Sequence, residues 1–159
     1  MNGNGEDTEK IFSQILDKTN QFVILIEPGT PDSFKKMQDL QKIAKQKDFF
    51  VIAPCTHQEE CKLPKEDWCH SVCRVQRSRI HRMLKQGDLP YEDEKFSYYI
   101  FAKKNYSTVE KRILRHPNIE KNKVIIKVCT KDEIKELFIA KKEKELYKIV
   151  KKKHCGDSI

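Results

Sequence analysis

The sequence predicts an α/β fold that carries a metal-binding loop and ends in a basic, β-containing segment. Three observations lead there. Two continuous apolar runs, 22–26 (FVILI) and 49–53 (FFVIA), flank an amphipathic stretch. Three cysteines, Cys55, Cys61 and Cys69, crowd into the segment directly after the second run. The positive charge gathers in the last third, where residues 101–159 carry 17 basic and 8 acidic side chains.

Taken in order, residues 1–5 read as a loose start. Ile11, Phe12, Ile15 and Leu16 fall at helical spacing, so 8–18 predicts a short amphipathic helix. The run 22–26 is apolar throughout, as expected of a strand buried on both faces. It ends at Glu27-Pro28-Gly29-Thr30-Pro31, a turn that starts a helix, because Thr30 can cap and Pro31 suits the first helical position. Phe34, Met37, Leu40 and Ala44 give that helix one apolar face, and Lys47-Asp48 ends it. With 49–53 as the next strand, the pattern is a βαβ unit in a parallel sheet.

Residues 54–67 form a loop rich in cysteine, proline and charge. Residues 68–85 have a helical pattern, with Gly87 as a stop. An acidic connector, 88–95, leads to a third strand at 96–101 (FSYYIF). Roughly twenty irregular residues precede a strand at 124–129 (VIIKVC). Ile134–Ala140 alternates like a strand, and 146–153 fits either helix or strand. Three strands are few for a doubly wound sheet, so residues 1–111 read as a partial α/β domain with a metal-binding insertion at 54–86. Residues 112–159 read as a basic, β-rich subdomain.

Composition bounds the function. Charged residues make up 35% of the chain and hydrophobic ones 38%, so the surface is strongly ionic. No apolar run approaches the roughly 18–20 residues that span a bilayer, and residues 1–10 resemble neither a signal nor a transit peptide. Membrane partners are not expected. A net charge of +8, placed at one end, suggests a polyanionic partner such as nucleic acid; a solvated lysine-rich tail is the plain alternative.

Six cysteines without a secretory signal point to a reducing compartment, where clustered thiols bind metal or do redox chemistry. Cys55 follows a strand end, where open α/β sheets place ligand sites. Thiolates suit zinc, copper(I) and iron–sulfur clusters. Zinc sites usually carry tight C-x2–4-C knuckles; the wider spacing here is easier to reconcile with a cluster. A fourth ligand is open among Cys73, Cys129, His57 and His70. Ordinary buried thiols are the alternative to any metal.

Arg74, Arg77, Arg79, Arg82 and Lys85 lie within the predicted helix, and Arg74, Arg77, His81 and Lys85 share a face at i, i+3, i+7, i+11. Such a stripe could lie along an RNA backbone, or the arginines could pair with Glu92-Asp93-Glu94. His70 and His81 are conceivable bases without a recognisable partner, so no catalytic residue is named.

These residues resemble a known family. Ile26-Glu27-Pro28-Gly29-Thr30-Pro31, Val51-Ile52-Ala53-Pro54-Cys55-Thr56-His57, Asp67-Trp68-Cys69-His70, Arg74-Val75 with Arg77-Ser78-Arg79 and His81-Arg82, and Tyr91 to Tyr98 are similar to the methyltransferase-like small-ribosomal-subunit assembly factors of mitochondria and bacteria. The similarity continues through Lys123 to Cys129 and the closing Gly156-Asp157. It implies the C-terminal half of a Rossmann-like S-adenosylmethionine methyltransferase sheet. It also implies a 4Fe–4S cluster on Cys55, Cys61, Cys69 and Cys129, and association with small-subunit rRNA and ribosomal proteins in assembly or translation. A single zinc is the alternative metal.

Two departures stand out. The family's N-terminal half, with its Gly-rich loop for S-adenosylmethionine, is not among these residues. Cys155 stands where the closing motif usually has Trp. S-adenosylmethionine is therefore expected only if a partner chain supplies that half, and Glu27 is at most a contact in its cleft. The expected compartment is the bacterial cytoplasm, or the mitochondrial matrix for a eukaryotic host.

Overall fold

The computed structural model describes residues 3–85 and 89–159. Helix α1, Gly3–Lys18, opens the chain, so residues 3–5 are helical rather than loose. It buries Phe12 and Leu16 and leaves Ile11 and Ile15 exposed. Strand β1, Phe22–Pro28, turns at Gly29. A Cβ there would meet the Lys95 and Phe96 backbone at 2.7 Å, so only glycine lets the two segments approach. Thr30 caps helix α2, Pro31–Gln46, by accepting from the Ser33 N–H, with Pro31 in the first turn. Helix α2 buries Phe34, Met37, Leu40 and Ala44, and Asp48 leaves it in the left-handed region (φ 59°).

Strand β2, Phe50–Ala53, follows, then β3, Ser71–Gln76, α3, Arg79–Lys85, and β4, Tyr91–Ala102. The long β4 is the spine of the first sheet. Strand β1 pairs along one side of it, and β2 and β3 pair end to end along the other. Every ladder is antiparallel. Strands β1 and β2 do run in the same direction, as a βαβ unit requires. They are not neighbours, however, because β4 enters between them and fills the core with Tyr99, Phe101 and Ala102. The expected parallel sheet is thus replaced by an antiparallel one.

The expected helix over 68–85 is also corrected. Its first half is β3, held in register from Ser71 opposite Phe96 to Gln76 opposite Tyr91. The expected acidic connector is the strand that holds it. Val72 and Val75 favour a pleated surface, and a ladder partner overrides the helical spacing of the arginines. Gly87 and the side chain of Lys85 lie outside the described residues.

The second sheet centres on β7, Lys123–Thr130. Strand β8, Ile134–Ala140, lies on one side, and β5, Lys111–Ile113, and β6, Asn118–Ile119, lie on the other, all antiparallel. Helix α4, Lys144–Val150, closes its core over Val124, Ile126, Val128 and Ile139. The C-terminal tail ties the sheets together. Ile113 N–H donates to Asp157 O (2.8 Å), Arg112 donates to Gly156 O (2.9 Å) and Pro54 O (3.0 Å), and Val72 N–H donates to Cys155 O (3.3 Å). Gly156 has φ +95°, and a Cβ there would strike the Ser71 side chain.

Candidate metal centre

The loop between β2 and β3, together with strand β7, delivers four thiols to the junction of the sheets. Cys55 follows β2 through the cis Ala53-Pro54 bond. The loop beyond it folds back because the Gln58 amide imitates a strand, accepting from Val51 N–H (2.9 Å) and donating to Val51 O (2.6 Å). Cys61 lies farther along that loop. Cys69 stands just ahead of β3, its carbonyl held by the Ser97 hydroxyl (2.9 Å). Cys129 comes from β7 in the other sheet.

All four line one cavity, together with His57 and His70. Among the described residues, no three His, Cys, Asp or Glu side chains converge closely enough to hold a metal ion. Burial pushes the Cys55 thiol up to about 12, helped by Cys61 and Cys129. Burial raises Cys69 well above the ordinary thiol value, with Cys55 and Cys61 adding to it. Cys61 is raised mainly by burial too. Each of these three thiols is thereby made harder to ionise. A bound cation would reverse that balance by displacing the protons. Soft donors, a complete set of four and a buried setting fit a thiolate-ligated group.

The other candidates fall elsewhere. Cys73 is exposed on β3 and is not part of the cavity lining; a helix over 68–85 would set it one turn from Cys69, at i+4, but Ser71–Gln76 is a strand. Cys155 is buried, with its thiol on the His70 and Leu114 carbonyls (3.2 and 3.1 Å), and burial raises it to about 11. His70 stacks on Trp68, and burial lowers its pKa, as it does that of His57. Glu27 is half-buried on β1 opposite Ser97 and does not line the cavity.

The arginines divide. Arg74 grips Asp93 with two bonds (2.7 and 2.9 Å) and lies over the Tyr91 ring, and Arg77 donates to Glu92 (2.9 Å). His81 also meets Glu92 (3.5 Å). Arg79 and Arg82 are exposed on α3. The four-residue helical stripe therefore does not exist as one face.

The sequence profile described as mitochondrial small ribosomal subunit Rsm22 matches residues 2–159. The chain belongs to that family. No curated protein sequence matches it. The resemblance read from the ordered motifs is borne out at the level of the family. Among the described residues, no helix of this Rsm22-family chain is long and apolar enough to cross a membrane.

Sequence reasoning missed the supports of the centre. Asp67 accepts from Arg115, from Lys127 Nζ (3.0 Å) and from the Trp68 N–H (2.9 Å). Burial works to raise the Asp67 pKa, but the Lys127 hydrogen bond and the Arg115 charge outweigh it and hold the carboxyl below its ordinary value. Trp68 Nε1 donates to Gly29 O (3.0 Å). In the Rsm22-family fold these bonds fix the residues beside Cys69 to the β1–α2 turn and to the second sheet. Apart from the bond between the neighbours Trp68 and Asp67, their partners lie 39 to 60 residues apart in sequence, so no local spacing announces them.

Proposed function

We propose that the chain holds a 4Fe–4S cluster on Cys55, Cys61, Cys69 and Cys129 and serves small-subunit assembly or translation in contact with rRNA. The observation that carries this reading is the arrival of four thiols, three from the loop between β2 and β3 and one from β7, at one cavity. In sequence the cysteines are spaced more widely than the knuckles of most single-zinc sites. A single zinc needs all four sulfurs at about 2.3 Å from one centre, whereas the iron corners of a cluster accept a wider set. When bound, such a cluster supplies electron-transfer or structural cross-linking chemistry. Its ligands would join the loop after β2 to β7, so binding would also be folding energy.

Family membership supports the ribosomal setting. The host compartment would be the mitochondrial matrix or the bacterial cytoplasm. The basic excess in residues 101–159 and the exposed Arg79 and Arg82 supply groups that suit phosphate. Strands β1 and β2 run the same way and are linked by α2, which supports reading the first sheet as part of a methyltransferase-like one. We assign no catalysis to these residues alone; S-adenosylmethionine would enter only with the family's N-terminal half.

Anaerobically purified protein is expected to be brown, with about four irons and four sulfides per chain. Colourless protein with one zinc per chain would overturn the cluster. For the RNA contact, binding to structured small-subunit rRNA should weaken steeply with salt. Arg79→Ala with Arg82→Ala should reduce the slope by about 1 for each phosphate no longer neutralised. An unchanged slope would mean that α3 is a solvated face.

A further inference from the structure

We infer that Thr56 and His57 are positioning residues for Cys129, donating an O–H and an N–H to its sulfur. The inference rests on the cluster reading and goes beyond its ligand list. Cys129 is the one proposed ligand that comes from the second sheet, and two polar side chains from the loop after β2 face it. Thr56 Oγ1 lies 3.6 Å and His57 Nε2 lies 4.0 Å from its Sγ. Both residues are almost fully buried, at 4% and 6% exposed.

The chemistry of the three groups fixes the direction of donation. The Cys129 thiol has an acceptor of its own, the Thr130 carbonyl at 3.7 Å. As a ligand the sulfur is deprotonated and can only accept. The groups within reach that can then donate to it are the Thr56 hydroxyl and the His57 ring. A neutral imidazole places its single hydrogen where an acceptor waits, and a charged one carries hydrogens on both nitrogens. His57 Nε2 is the ring nitrogen that faces Cys129, so a deprotonated sulfur there is the acceptor that draws the hydrogen to it. The Thr56 backbone is held in turn, because Thr108 Oγ1 donates to its carbonyl (3.0 Å).

Donors to a ligand sulfur draw electron density from it, and hydrogen bonds to cluster sulfurs are among the factors that set reduction potential. The pair would therefore raise the potential and hold the second sheet's ligand in one orientation.

The test compares Thr56→Val, which keeps the shape and removes the hydroxyl, with Thr56→Ser, which restores it, and adds His57→Phe. Iron content and reduction potential are read on anaerobically purified protein. Thr56→Val and His57→Phe should each lower the potential, and Thr56→Ser should keep the wild-type value. Loss of iron in Thr56→Val but not in Thr56→Ser would also support donation, since the hydroxyl alone separates them. Full iron with an unchanged potential in both Thr56→Val and His57→Phe would overturn it. So would equal loss of iron in Thr56→Val and Thr56→Ser, which would indicate packing alone. An iron-free wild type would sink the cluster reading itself and is recognised before any variant is compared.

Discussion

The two sheets solve the same burial problem with different success. The second sheet closes on itself within about fifty residues: β7 alternates strictly, Val124, Ile126 and Val128 point into the core, and α4 covers it. The first sheet is covered on one face only. Helices α1 and α2 pack over Val23, Leu25, Val51, Tyr99 and Phe101, while Phe22, Ile24 and Ile26 on the other face of β1 are 47%, 62% and 63% exposed. Residues 22–26 (FVILI) read as a strand buried twice, and in this fold it is buried once. A sheet written for two covers but given one keeps less of its potential core. Cross-links to its neighbour therefore matter more to it, and the thiol cavity lies where those cross-links are made.

The comparison can be broken at both ends. The largest effect belongs to the closed core: Ile126→Ala, at a position 1% exposed, should cost about 2–5 kcal/mol in chemical denaturation, from lost burial and the cavity left behind. A cost below about 1 kcal/mol would mean that the second sheet is not a tight core. Next comes the junction. Asp67→Ala leaves Arg115 and Lys127 without their shared carboxylate and should cost about 2 kcal/mol, as expected for hydrogen bonds to charged groups. Limited proteolysis should then cut first in residues 54–70. The smallest effect belongs to the open face: Ile24→Ser should change stability by about 0.5 kcal/mol or less. A cost like that of Ile126→Ala would show that the face is covered in solution.

Much of the fold is legible in residue order. The runs 22–26, 49–53 and 124–129 announce strands, and Thr30-Pro31 announces α2. What is not legible is pairing. The acidic residues Glu92, Asp93 and Glu94 suggest a connector until β3 lies alongside them, and SVCRVQ spaces Arg74 and Arg77 like a helix until a ladder holds it extended. The order β1-β4-β2 depends on which strand returns between two others, and no periodicity encodes that. The centre was half legible. Spacing marks Cys55, Cys61 and Cys69, but it favours Cys73 as the neighbour of Cys69. Cys129 lies 60 residues beyond Cys69 in sequence; the residues alone make it one of four candidates, and the family resemblance singles it out. In the fold, Cys129 lines the cavity and Cys73 is exposed on β3.

The central claim is that one thiol from the second sheet completes a centre built mainly on the first. The most direct measurement is iron content, with protease sensitivity of residues 112–159, in Cys129→Ser against Cys73→Ser, each purified anaerobically. Cys73→Ser should keep its iron, its brown colour and near-normal stability. Cys129→Ser should lose iron and expose residues 112–159 to cleavage, because the cross-link between sheets is gone. A brown, protease-resistant Cys129→Ser beside a bleached Cys73→Ser would contradict the account.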